Sequence, residues 1–159
     1  MHWEEVCQDP SLRNLPYKIE LNRAGKILMS PAKNRHAIFQ GIILLALHER
    51  LPQGWVMPEC AIETDEGVKV ADVAWISPER YAQVKTQAAY RMAPEICVEV
   101  LSEANTGAEM KGKIALYLQL GAKEVWICDE AGRLRFYNLS GELSVSLFVP
   151  SFPLAVHAD

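Results

Sequence analysis

An α/β domain, built as a mixed β-sheet flanked by helices and preceded by an N-terminal β-hairpin, is the fold that this chain predicts. Two stretches with apolar residues at helical spacing alternate with short apolar runs bounded by turn formers, the pattern of helices packed on a sheet. Two of those runs each carry a single carboxylate, Asp72 in Val70-Ala71-Asp72-Val73-Ala74-Trp75 and Glu99 in Ile96-Cys97-Val98-Glu99-Val100-Leu101. A buried carboxylate costs several kcal/mol unless it is paired, hydrogen-bonded or bound to a cation. Two of them on core strands therefore point to a site.

The elements follow in order. The first fifteen or so residues read as a short helix or arm. Tyr17 to Leu21 and Lys26 to Met29 flank Asn22-Arg23-Ala24-Gly25, a hairpin signature. From Ala32 to Arg50, Ile38, Ile42, Leu45 and Ala46 recur at helical spacing, with Ala37, Gly41 and Leu44 beside them, and Leu51-Pro52-Gln53-Gly54 ends the helix. Trp55 to Met57, Ala61 to Glu63 and Val68 to Ile76 read as strands, the last two joined by Thr64-Asp65-Glu66-Gly67. Ser77 as N-cap and Pro78 at the first helical position open a short helix to about Val84, and the polar stretch Lys85 to Arg91 reads as a loop.

After Pro94 comes the strand at 95–101. Thr106 and Glu109 have the spacing of a capping box, and the helix they open should stop at Gly121. Lys123 to Cys128, Arg133 to Leu139 and Leu143 to Val149 complete the set as strands. With 159 residues, half of them hydrophobic, residues 1–159 are expected to form one domain with a substantial core.

Composition narrows the function classes. A formal net charge of −4 argues against a protein that coats nucleic acid through bulk charge. Local basic clusters remain at Lys33, Arg35 and His36, at Arg80, Lys85 and Arg91, and at Lys111 with Lys113, and ordinary solvated charge accounts for most of them. Cys7, Cys60, Cys97 and Cys128 form no C-x-x-C pair and read as reduced, buried core residues. The N-terminus lacks the pattern of a signal peptide, and the longest apolar run, Ile42 to Leu47, is too short to span a bilayer. A cytoplasmic protein without a membrane partner is expected. Edge strands and the apolar segment Leu143 to Leu154 make a homo-oligomer plausible.

The chemistry rests on what the helix after Leu101 brings back along the sheet. Positions 109, 113, 116 and 120 form one stripe, so Lys113 is placed to reach Glu99. Two carboxylates and a lysine suit phosphodiester hydrolysis with magnesium or manganese. The acids hold a hard cation through oxygen, and the lysine orients water or stabilises developing charge. Set against this, Glu99 and Lys113 are equally a half-buried ion pair, and Asp72 a turn-capping residue near the start of its strand. Tyr117, Trp75 and Trp126 read as core.

At these residues the sequence resembles a known family. Tyr17-Lys18-Ile19-Glu20, Gly25-Lys26-Ile27-Leu28-Met29-Ser30-Pro31, His36, Ala71-Asp72-Val73, Pro94 through Ser102, Lys113 with Tyr117, and Gly121 through Asp129 are similar, in that order, to the Uma-type family of bacterial restriction-endonuclease-like proteins. The resemblance implies a PD-(D/E)XK nuclease fold, a magnesium-type site and a nucleic-acid partner, read as DNA. By position it makes Asp72 the first motif acid, Glu99 the second, and Lys113 the motif lysine moved from strand to helix. Glu20, His36 and Glu109 follow as residues behind the site or facing substrate. Three positions depart from the family pattern: Ala71 stands for proline, Leu101 for the strand lysine, and Glu109 for aspartate. The resemblance thus implies a metal-dependent endonuclease, with a non-catalytic nuclease-fold module for nucleic-acid binding or self-association as the alternative.

Overall fold

The computed structural model describes residues 1–31 and 33–158, so the expected first residue of the long helix, Ala32, lies outside the described residues. The chain opens with helix α1 (Trp3–Gln8) and a 3-10 turn (Pro10–Leu12), then forms an antiparallel hairpin of β1 (Tyr17–Leu21) and β2 (Ile27–Pro31). Helix α2 (Asn34–Arg50) leads into β3 (Trp55–Thr64) and β4 (Gly67–Ile76), and α3 (Pro78–Val84) precedes β5 (Ile96–Val100). Helix α4 (Gly107–Gln119) and strands β6 (Glu124–Cys128), β7 (Leu134–Asn138) and β8 (Gly141–Leu143) complete it.

Six strands form one sheet in the order β3-β4-β5-β6-β7-β8, and only β5 and β6 run parallel. A parallel pair needs a crossover, which α4 supplies. On one face, Phe39, Ile43 and Leu47 of α2 pack with Val73, Trp75, Val98, Trp126 and the C-terminal Phe152. On the other, Met110 and Tyr117 of α4 pack with Cys60, Ala74, Cys97 and Val125. The expected mixed sheet between helices, with its separate hairpin, is the observed fold.

Four local expectations are corrected. Trp55 to Met57 and Ala61 to Glu63 belong to one strand, β3, which runs through Pro58 because that proline sits on an edge strand. Helix α2 buries Phe39, Ile43 and Leu47 and leaves Ile38 and Leu45 48% and 61% exposed. It is apolar on nearly every side, so spacing alone does not choose its inner face. Strand β8 ends at Leu143, because the Leu147 and Phe148 N–H groups donate to the buried Glu124 carboxylate and join no ladder. Among the cysteines, which are all free, Cys7 is exposed while the other three are buried.

The hairpin is fastened where it matters. The β3–β4 turn passes so close to β1 that a Cβ at Gly67 would strike the Leu21 carbonyl and Asn22, and its φ of +94° also favours glycine. Glu20 reaches across from β1, accepting the buried Val70 N–H at 2.8 Å. Both contacts dock β1, with Lys18 and Glu20, against the middle of the sheet.

Candidate active site

The site forms where the β4–β5 ladder opens. Strands β4 and β5 pair from Trp75↔Ile96 to Val73↔Val98 and no further, and the next residues on the two strands are Asp72 and Glu99. On the other side of β4, Glu59 takes a left-handed φ of +56° between the pairs Pro58↔Val73 and Cys60↔Ala71. Side chains replace the missing ladder. Gln40 Nε2 donates to the Asp72 carbonyl at 2.6 Å and to Glu59 Oε1 at 2.9 Å, while Asp72 Oδ2 accepts the Val100 N–H at 2.7 Å. Asp72 thus sits in the middle of β4, which rules out the turn-capping reading.

Asp72 and Glu99 are 1% and 2% exposed. Lys18 Nζ lies between them, 3.0 Å from Asp72 Oδ1 and 3.0 Å from Glu99 Oε2. Lys113 does reach Glu99, at 3.3 Å from Oε1, and also donates to Glu20 Oε1 at 2.8 Å. Tyr117 donates its hydroxyl to Glu99 Oε1 at 2.8 Å, and His36 Nε2 stands 3.4 Å from Asp72 Oδ2. His36 Nδ1 is buried and has no hydrogen-bond partner among the described residues. Lys18, Glu20, His36, Asp72, Glu99 and Lys113 line one cavity of about 290 Å³.

Burial works against charge throughout this cluster, and the partners decide the balance. For Asp72, burial raises the pKa, but His36 and Lys18 together hold the carboxyl well below its usual range. Glu99 is pushed up by burial, against the opposing pull of Lys18 and Lys113. Burial lowers the Lys18 pKa less than Glu99, Asp72 and Glu20 raise it, so its ammonium stays charged. The His36 imidazole is raised by its contact with Asp72 in spite of partial burial.

Of the expected site residues, Asp72, Glu99, Lys113, Glu20 and His36 converge. Glu20 is buried behind Lys113. Glu109 stands exposed at the cavity rim. Its N–H donates to Thr106 Oγ1 at 3.1 Å, completing half of the expected capping box, while its carboxylate accepts from Asn105 Nδ2 at 3.2 Å. The inward stripe of α4 is Met110, Lys113 and Tyr117, one residue away from the expected register at its start and end. Arg80 leaves the list of basic groove candidates, since it donates to the Ala93 and Gly121 carbonyls beside Glu95.

Two residues enter that the sequence reading did not assign to the site. Lys18 shares a strand face with Glu20 by the two-residue period, a signal that could have found it once Glu20 was placed at the site. Tyr117 follows Lys113 by one helical turn.

The donor chemistry suits a hard divalent cation, because two buried carboxylates already share one positive charge. Among the described residues no three His, Cys, Asp or Glu side chains are set to hold a metal ion. The reason is visible in the partners: Lys113 and the Val70 N–H take up Glu20, and Lys18 separates Asp72 from Glu99. Asp72 and Glu99 are therefore the pair that would hold a metal.

The fold is an α/β domain with a mixed sheet between helices, opened at an acid pair with lysines. The fold is shared by the crystal structure described as a putative nuclease belonging to DUF820 from Anabaena variabilis ATCC 29413, with a TM-score of 0.73, 16% sequence identity, and coverage of 98% of this chain and 94% of that one. Residues 3–153 match the family model Uma2, described as "Putative restriction endonuclease", and the chain belongs to that family. A search of curated proteins found no match. No described helix is long and apolar enough to cross a membrane.

Proposed function

We propose that the protein is a metal-dependent endonuclease that hydrolyses phosphodiester bonds of DNA by a PD-(D/E)XK-type reaction. One observation carries the reading: Asp72, Glu99 and Lys113 meet in one cavity at the point where the sheet opens. In a structural ion pair the ladder has no need to part. Asp72 and Glu99 would hold magnesium or manganese, which when bound polarises the phosphate and lowers the pKa of a bound water.

The remaining residues position these groups. Glu20 and Glu99 orient the Lys113 ammonium, which offers positive charge to the phosphate or a hydrogen bond to water. Tyr117 fixes the Glu99 carboxylate from the core side. His36 and the Val100 N–H hold Asp72 in its ionised form.

The test is nicking of supercoiled plasmid DNA with magnesium or manganese. Asp72→Asn is expected to lower the rate about a hundredfold or more, with its fold retained by circular dichroism. Full cleavage by that variant removes Asp72 from the mechanism. A second reading, a nuclease fold that binds nucleic acid without cutting it, draws on the lysine bridge between the acids and on Leu101 at the strand-lysine position. It is the reading left standing if wild type retards DNA in a gel yet never nicks it.

A further inference from the structure

We propose that Lys18 is a built-in competitor for the divalent cation, its ammonium occupying the bridge between Asp72 and Glu99 that the metal must take. The inference rests on the proposed metal-binding role of those two acids and adds a residue that sets their affinity. Two observations carry it. Lys18 Nζ is equidistant, at 3.0 Å, from one oxygen of each acid, so it sits between them and not beside the pair. Lys113 contacts only Glu99 of the two, and its other partner is Glu20. Lys18 therefore holds the shared position alone.

The charge count supports an exchange. Glu20, Asp72 and Glu99 face Lys18 and Lys113, with His36 at the edge. The three carboxylates outnumber the two ammonium groups, so a divalent cation that takes the place of Lys18 meets an excess of anionic oxygen in a poorly solvated site. It is also sterically simple. Lys18 lies on the separate hairpin and its side chain is 14% exposed, so rotation about its own torsions carries the ammonium to the mouth of the cavity without moving a sheet strand. A metal binds only the fraction of molecules whose bridge is free, and its apparent affinity falls by that fraction.

The test is manganese titration of the full chain by calorimetry, with no nucleic acid present. Lys18→Met is expected to bind manganese about tenfold or more tighter than wild type. Lys113→Met removes the same charge at a similar distance from Glu99 and is expected to change affinity several-fold less. Lys18→Gln and Lys113→Gln serve in place of a methionine variant that does not fold. Equal affinity of Lys18→Met and wild type, or equal gains from the two lysine variants, overturns the competitor role while leaving the metal site in place. Absence of manganese binding in wild type and in every lysine variant overturns both, and Asp72→Asn, expected to lose binding, marks that baseline.

Discussion

Two buried acid clusters lie on the same sheet, and they are satisfied in opposite ways. Glu124 on β6 accepts from Trp126 Nε1 at 2.7 Å, Ser146 Oγ at 2.6 Å, Leu147 N at 2.7 Å and Phe148 N at 2.8 Å. All four donors are neutral, two belong to the backbone, and together they fix the chain where it leaves β8. Asp72 and Glu99 are as deeply buried, yet two lysines and a histidine supply most of their partners. A backbone donor cannot leave without local unfolding, whereas a lysine side chain swings away on its own torsions. The first cluster fastens the fold, and the second is where, on the proposed function, a metal ion replaces an ammonium.

The sharpest way to break this comparison is Glu124→Ala. It strands the Trp126, Ser146, Leu147 and Phe148 donors in the interior and is expected to cost about 4 kcal/mol in urea denaturation. Manganese affinity should stay unchanged in the molecules that remain folded. A cost under about 1 kcal/mol would show that the C-terminal segment is held by its apolar contacts instead. Tyr117→Phe comes next, since it removes one buried hydrogen bond from Glu99 and keeps the ring. Denaturation should report a loss of about 1–2 kcal/mol, and a gain in stability would mean that Glu99 is not served by that hydroxyl.

The smallest effect is a pH slope that belongs to the Asp72 cluster. His36 has a raised pKa in the folded state through its contact with Asp72. Its contribution is complete below the ordinary histidine value of about 6.5 and is lost as pH rises through the raised value. His36→Gln should therefore flatten the fall in the urea midpoint between about 6.5 and that raised value. An unchanged slope in the variant would assign the fall to another group. Asp72 has the opposite sign: its depressed pKa contributes stability above the usual carboxylate range that is lost as pH falls into acid.

Local chemistry explains most of what could be read from the residues. The Asn22 to Gly25 turn, the Ser77-Pro78 start, the Thr106 cap and the Gly121 stop all appear where turn and cap chemistry put them. Each depends on residues a few positions apart. Asp72 and Glu99 were legible because a charge in an apolar run stands out whatever surrounds it, and Lys113 because helical spacing placed it to reach Glu99. The inner face of α2 was not, because a helix apolar on nearly every side takes its orientation from what it meets. The early end of β8 was not, because its cause is Glu124, a residue on another strand.

The sequence by itself determined the order of elements, the hairpin, the mixed sheet and the two acids that interrupt its core, since these follow from periodicity, caps and the cost of burying charge. Only the tertiary structure decided that Lys18 bridges those acids, across sequence separations of 54 and 81 residues. A lysine on a hairpin carries no local mark of its partner. Docking of β1 at Gly67 and Val70 supplied it, by bringing an ammonium to the gap where the β4–β5 ladder ends.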